Sequence, residues 1–176
     1  FHVLPHMDPV YTISIIPTGM GAAGYTMPLP DNDEMFNTKN KMLEDITTLL
    51  GGRVAEEIIF GDITTGASND IKRATETARS MVMKYGMSEK IGLIAYGNDD
   101  DEVFIGRDLA HTRGYSEEVA REIDGEISRI IRECHENAES IIRENIGVLH
   151  SCAALLLEKE KIHREEFEAL FTTEKE

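Results

Sequence analysis

The longest regular pattern in the chain is SEEVAREIDGEISRIIRECHENAESIIREN at residues 116–145, and it decides the fold class. Ser116 is a good helix N-cap, and Glu117 and Glu118 in the first turn suit the helix dipole. Apolar side chains follow at intervals of three and four, which is the spacing of one helical face. That stripe consists of Val119, Ile123, Ile127, Ile130, Cys134, Ala138, Ile141 and Ile142. The pattern predicts a long helix that packs along a neighbour, for example antiparallel to a helix over residues 148–159.

A second helix is predicted from the N-cap residue Thr38 to Gly61, which ends it. Gly51 and Gly52 lie in its middle, where each glycine costs about 1 kcal/mol relative to alanine. We therefore expect the backbone of a neighbouring helix to approach closely there. The apolar face of this helix consists of Met42, Ile46, Leu49, Leu50, Val54, Ile58 and Ile59.

A third helix is predicted after Asp70, with Gly86 at its end. The expected core face of this third helix consists of Ile71, Ala74, Ala78, Met81, Val82 and Tyr85. A short helix near residues 165–171 is predicted to close the chain. Residues 88–114 are expected to be irregular, with a possible short strand over 92–96 and an acidic turn over 99–102.

The first third of the chain has a different character, because β-branched residues alternate over residues 10–16 before Pro17. A weaker, glycine-rich strand is predicted over residues 20–27, and such strands are often edges where another backbone approaches. All five prolines fall within the first 30 residues. The predicted fold is therefore mainly α, a helical domain with a small N-terminal β-hairpin or sheet.

Composition excludes several classes of protein. The chain has 176 residues and a net charge of −15, so the clustered lysine and arginine needed to bind nucleic acid are not expected. There is no apolar run of about 18 residues that would cross a membrane. Two cysteines, Cys134 and Cys152, are too few for a disulfide framework. Phe1 enters in the middle of a pattern, which suggests a piece of a longer protein.

The most polar helix entry is TTGASNDI at residues 64–71, and it allows two interpretations. In the first, Ser68 or Asn69 caps the helix and Asp70 only meets the helix dipole. In the second, Asp70 projects as a metal ligand or an orienting carboxylate. His2 and His6 are four apart, but Pro5 lies between them and favours a loop. HExxH, Walker A and GxSxG motifs are all missing from the sequence.

Several ordered strings nevertheless carry a resemblance that covers residues 1 to about 171. They are LPHMDPV at 4–10, ISIIPTG at 13–19, GYT at 24–26, LLGGRVAEEIIFG at 49–61, TTGASNDI at 64–71, GMSEKIG at 86–92, YSEE at 115–118 and EEF at 165–167. Together they resemble the FtsH family of membrane-anchored, ATP-dependent zinc proteases.

The resemblance implies a peptidase domain over residues 1–176. Residues 1–34 would be its β-rich part, 35–88 the helices that carry the third metal ligand, and 115–172 its C-terminal helical part. The family's zinc is held by two histidines of an HExGH helix and by an aspartate, which maps onto Asp70. That helix would lie just before Phe1, so this chain would hold no catalytic residue and would be inactive alone. Glu56 and Glu57 would support a zinc-bound histidine, or be ordinary surface carboxylates.

The resemblance also implies partners. The parent protein would carry a membrane anchor and an ATP-binding AAA module, assemble as a hexamer, and degrade unfolded or misassembled membrane and soluble proteins. This domain would face the cytoplasm or an equivalent organelle compartment. Substrate would pair with an edge strand formed by Met20, Gly21, Ala22, Ala23, Gly24 and Tyr25. A non-catalytic oligomerisation module of the ring and a free-standing acidic binding protein are the alternatives.

Overall fold

The computed structural model describes residues 1–17, 24–30, 35–96 and 115–173. Within these ranges the chain forms five helices and one antiparallel three-stranded sheet, which confirms the predicted fold class. In chain order the elements are β1 (Val10–Ser14), β2 (Tyr25–Pro28), α1 (Lys39–Phe60), α2 (Ser68–Met83), α3 (Glu117–Glu144), α4 (Ile146–Lys159), β3 (Lys161–His163) and α5 (Arg164–Thr173). The acidic turn expected over residues 99–102 lies outside the described residues.

The core lies between α1, α2 and α3, which pack against one another. Ser116 caps α3 as expected, because its side chain accepts a hydrogen bond from the Val119 amide. The central part of the predicted stripe on α3 is buried in this core. Its buried members are Ile123, Ile127, Ile130, Cys134 and Ala138.

The expected antiparallel pairing of α3 with α4 is wrong. The chain bends by 76° between the two helices, so α4 turns away and α3 packs mainly on α1 and α2. No single helix in the described part of the chain is long and apolar enough to cross a membrane. Only α3 and α4 taken together, as a bent pair, reach the required length and composition.

Helix α1 has the predicted ends. The Thr38 side chain accepts from the Lys41 amide, and Gly61 ends the helix with a left-handed φ of 63°. A Cβ atom added at Gly51 or Gly52 would meet nothing within 4 Å among the described residues, so both glycines border open space there. The helix that we expect to approach them closely is the HExGH helix implied by the family resemblance, and that contact stays a prediction for the parent protein.

Helix α2 differs from its prediction at both ends. Ala74, Ala78, Met81 and Val82 are buried as expected, and the two alanines let α2 lie close to its neighbours. Ile71 and Tyr85, however, are exposed, because they project beyond the contact. The N-cap is Ala67, without a side-chain hydrogen bond, so capping by Ser68 or Asn69 is also wrong.

The sheet has the strand order β2-β1-β3, so β2 is an edge strand. The predicted strands over residues 10–16 and 20–27 correspond to β1 and, in the described part, to β2. Strand β3 was not predicted, and its Ile162 is fully buried opposite Ile13. The strand expected over residues 92–96 is wrong, because that segment has no strand structure.

Two details shape the sheet. The register shifts between Val10 and Thr12, which places a bulge at Tyr11. Gly24 comes so close to β1 that an added Cβ atom would lie 2.5 Å from the Ser14 carbonyl oxygen. Only glycine fits there without a shift of the backbone.

Candidate metal-ligand site

Asp70 lies in the first turn of α2 and is partly exposed. Its carboxylate has no hydrogen-bond or ion-pair partner within the described ranges, as is also true of about half of the acidic side chains there. The positive end of the helix dipole stabilises a negative charge in the first turn of a helix. Asp70 therefore presents an available oxygen ligand of the type that zinc accepts.

The loop that enters α2 is fastened to α1 through Thr64. The Thr64 hydroxyl donates to Glu56 Oε1 at 2.5 Å, and its amide donates to Glu56 Oε2 at 3.3 Å. Arg53 Nη2 donates to the Thr64 carbonyl oxygen at 2.9 Å. The hydrogen bond from the Thr64 hydroxyl, and after it the bond from the Thr64 amide, hold the pKa of the Glu56 carboxyl below its usual range.

Glu57 points to a different neighbour. Its Oε2 lies 2.9 Å from His135 Nε2, so the pair joins α1 to α3. The structure therefore gives Glu56 and Glu57 separate surroundings: one contacts the loop before α2 and the other contacts α3. The predicted support of a metal-bound histidine by either residue stays a prediction.

The other candidate ligands do not gather around Asp70. His6 Nδ1 lies 2.6 Å from Glu44 Oε1, and the His2 ring packs 4.1 Å from the ring of Phe171. His111 lies outside the described residues. Across residues 1–17, 24–30, 35–96 and 115–173, no three His, Cys, Asp or Glu side chains are grouped as a metal site. The described side chains therefore bring no second candidate ligand to Asp70, and its role as a metal ligand stays a prediction.

The predicted substrate strand is described only in part. Gly24 and Tyr25 lie at the start of the edge strand β2, whose outer edge pairs with no other described strand. Met20, Gly21, Ala22 and Ala23 lie outside the described residues. The tight contact of Gly24 with Ser14 gives that glycine a structural role in joining β2 to β1.

Sequence reasoning did not identify the contacts of Arg53 and Thr64. The available signal was weak: a basic and an acidic residue three positions apart on α1, and two threonines after Gly61. Only the fold brings these residues together, because Thr64 contacts side chains 8 and 11 positions earlier in the chain.

Comparison with known proteins finds similar sequences over almost the whole chain. The family model for Peptidase family M41 matches residues 2–170. ATP-dependent zinc metalloprotease FtsH 1 of Thermoanaerobacter sp. (strain X514) is 54% identical over 172 residues, covering 98% of this chain and 28% of that protein. The corresponding FtsH proteins of Caldicellulosiruptor bescii and Thermotoga maritima are 54% and 48% identical, over 96% and 98% of this chain. The chain spans only 27% and 28% of those two relatives.

Proposed function

The chain belongs to peptidase family M41, and we propose that it is the protease domain of an ATP-dependent zinc metalloprotease. Its substrates would be unfolded or misassembled membrane and soluble proteins. The observation that supports this proposal most directly is the match of the Peptidase family M41 model to residues 2–170. Asp70 lies in the first turn of a helix whose entry loop is fastened to α1. A carboxylate with free lone pairs in a fixed position suits a metal ligand.

Asp70 would be the third protein ligand of zinc, beside the two histidines that the family resemblance implies. When bound, zinc would supply Lewis-acid chemistry for hydrolysis of a peptide bond. Within this chain, Asp70 would hold the metal and the loop before α2 would keep its carboxylate in place. Residues 1–176 contain one ligand of that set, so we propose that this chain alone is not an active protease.

Substrate would bind at the outer edge of β2. An extended polypeptide could pair there through main-chain hydrogen bonds, with little dependence on its side chains. The exposed side chains of Tyr25 and Met27 flank this edge and would provide apolar contacts. Such binding suits an enzyme that degrades many different unfolded sequences.

The parent protein would be a homohexamer anchored in a membrane and driven by an ATP-binding AAA module, with this domain on the cytoplasmic side or in an equivalent organelle compartment. The names of the relatives support the ATP dependence and the zinc. Large exposed apolar side chains, such as those of Phe60 and Leu93, support contacts with further parts of an assembly.

The test is Asp70→Ala in the full-length protein that contains this chain. We expect zinc content and proteolysis to be lost while ATP hydrolysis persists, because the substitution removes one ligand and leaves the ATPase module intact. Asp124→Ala is the matched control, since Asp124 is an exposed aspartate on α3, away from the loop. Normal zinc content and proteolysis in Asp70→Ala would overturn the assignment of Asp70 as a zinc ligand.

A further inference from the structure

Thr64 is bound to α1 through all of its polar groups. Its amide and hydroxyl donate to the carboxylate of Glu56, and its carbonyl oxygen accepts from the guanidinium of Arg53. Hydrogen bonds to charged groups are shorter and stronger than neutral ones. Both donors and the acceptor of this one loop residue are therefore fixed relative to a single helix, within a loop that is otherwise exposed.

Hydrogen bonds between residues close in sequence connect Thr64 and Thr65 to the start of α2. The Gly66 amide donates to Thr64 Oγ1 at 3.1 Å, and the Ser68 amide donates to the Thr65 carbonyl oxygen at 3.1 Å. No side chain caps α2. The loop, which is fastened at Thr64, therefore determines the position of the first turn of α2 and of Asp70 in that turn.

Gly66 leaves the room that this arrangement requires. A Cβ atom added at Gly66 would lie 3.2 Å from Thr64 Oγ1 and 3.8 Å from Glu56 Oε1. A side chain there would press on the contact between the loop and α1. The glycine lets the backbone pass close to the two oxygens.

The contact between Arg53 and Glu56 leaves one buried nitrogen of Arg53 without a hydrogen bond among the described residues. Arg53 and Glu56 are mostly buried, with side chains 13% and 21% exposed, and Arg53 Nη1 lies 3.8 Å from Glu56 Oε2. This Nη1 atom is buried and makes no hydrogen bond within the described residues, so the ion pair is its contact there. A buried donor without a hydrogen bond is unfavourable and calls for an explanation.

We propose that Arg53, Glu56 and Thr64 form a latch that positions Asp70 for metal binding. They act through the loop and not by touching the metal, so they are positioning residues. This inference rests on the proposed function, because it takes Asp70 to be the ligand. It gives Glu56 a partner other than the metal-bound histidine expected from the sequence.

The first test measures zinc retention in the full-length protein with Thr64→Val, which keeps the shape of the side chain and removes its hydroxyl. We expect zinc to be lost to a chelator about 10- to 100-fold faster than in the wild type, the usual effect of removing a group that orients a ligand. Thr64→Ser restores the hydroxyl and should restore slow zinc loss. Thr75→Val is the matched control, because the Thr75 hydroxyl bonds only to the Ile71 carbonyl oxygen within α2.

The second test needs no metal. Hydrogen exchange of a peptide covering residues 62–71 should be about 10-fold faster in metal-free Thr64→Val than in metal-free wild type, because the Gly66 amide loses its acceptor and the loop loses the hydroxyl bond to Glu56. Exchange in Thr64→Ser and Thr75→Val should match the wild type. The melting temperature distinguishes this local effect from general unfolding and should remain near the wild-type value.

Unchanged zinc loss and unchanged exchange in Thr64→Val would overturn the latch. The proposed function fails differently, through an Asp70→Ala protein that still binds zinc. If Asp70→Ala loses zinc while Thr64→Val behaves as the wild type, then Asp70 is a ligand and the latch is wrong.

Discussion

The Ser88 hydroxyl donates a hydrogen bond of 2.6 Å to the buried carboxylate of Glu126. Arg129 donates two hydrogen bonds of 3.0 Å to the same carboxylate, one to each oxygen. The bonds from Arg129, and to a lesser extent the bond from Ser88, lower the pKa of Glu126 to about 2 although burial of the group raises it. The cluster fastens the segment after α2 to the middle of α3.

We predict that Glu126→Gln lowers the free energy of unfolding at neutral pH by about 3 kcal/mol, since the pKa of this group is depressed from 4.5 to about 2. A depressed pKa gives stability that is fully present above the unfolded-state value and is lost as the pH falls through the folded-state value. The difference between wild type and variant should therefore shrink from about pH 4.5 to about pH 2. Urea unfolding across this range measures it.

Glu133→Gln is the matched control, because Glu133 accepts from the same Arg129 at 2.7 Å but is half exposed. Exposed pairs contribute about 0–1 kcal/mol. Equal losses for the two variants would show that burial of Glu126 adds nothing to the cluster.

We predict that Gly24→Ala destabilises the sheet by about 1–3 kcal/mol, the usual cost of an added methyl group where no space exists. The new Cβ atom would lie 2.5 Å from the Ser14 carbonyl oxygen, so β2 must move away from β1. Chemical denaturation measures the loss, and faster hydrogen exchange in β1 would locate it. Exchange unchanged in β1 would contradict the proposed movement.

We predict the opposite effect at Gly52. Alanine there meets nothing within 4 Å and replaces a glycine in the middle of α1. The free energy of unfolding should rise by about 0.5–1 kcal/mol from helix propensity. Destabilisation of the isolated chain would mean that another part of the chain covers this face of α1 in solution.

We predict that proline at Ala22 or Ala23, tested one at a time in the full-length protein, slows cleavage of an unfolded casein-like substrate. Proline removes a main-chain donor, so a substrate strand would lose a hydrogen bond wherever that amide faces it. ATP hydrolysis should be unchanged. Normal cleavage by both variants would show that substrate does not pair with this part of the strand.

We predict that the isolated chain associates more strongly as salt increases. The net charge of −15 opposes close approach of two copies, and salt screens that repulsion. Exposed Phe60, Leu93 and Leu157 favour association once the charge is screened. Sedimentation at about 0.05 M and about 0.5 M salt measures the change, with a six-membered ring expected if a closed species forms. A strict monomer at high salt would place the ring contacts elsewhere in the parent protein.

The ends of helices with local capping signals could be predicted from the sequence. Thr38 and Gly61 cap the two ends of α1 as predicted, and Ser116 caps the start of α3. A cap depends only on residues within a few positions of one another, so the sequence reveals it. The direction in which α4 leaves α3 has no such signal. It depends on how the chain beyond Asn145 packs, and the same apolar pattern is compatible with either direction.

The position of Asp70 was predictable from the sequence, but the contacts around it were not. Asp70 lies at a helix entry as expected, and its role as a zinc ligand, which the family resemblance implies, stays a prediction. The contacts of Thr64 with Arg53 and Glu56 arise only after α1 and the following loop fold back on each other. The open surroundings of Gly51 and Gly52 among the described residues agree with the expectation that their neighbour is a helix of the parent protein.

The pairing of β3 with β1 joins the two ends of the described chain, and the Thr12 hydroxyl donates to the Ile162 carbonyl oxygen across 150 positions. During synthesis on a ribosome, β1 emerges before β3 and has no β3 to pair with until residue 163 has been made. The helical core can form sooner, from α1, α2 and α3. An unfinished or prematurely terminated product would thus display an open side of β1, and quality control acting on nascent chains could distinguish it from the completed domain.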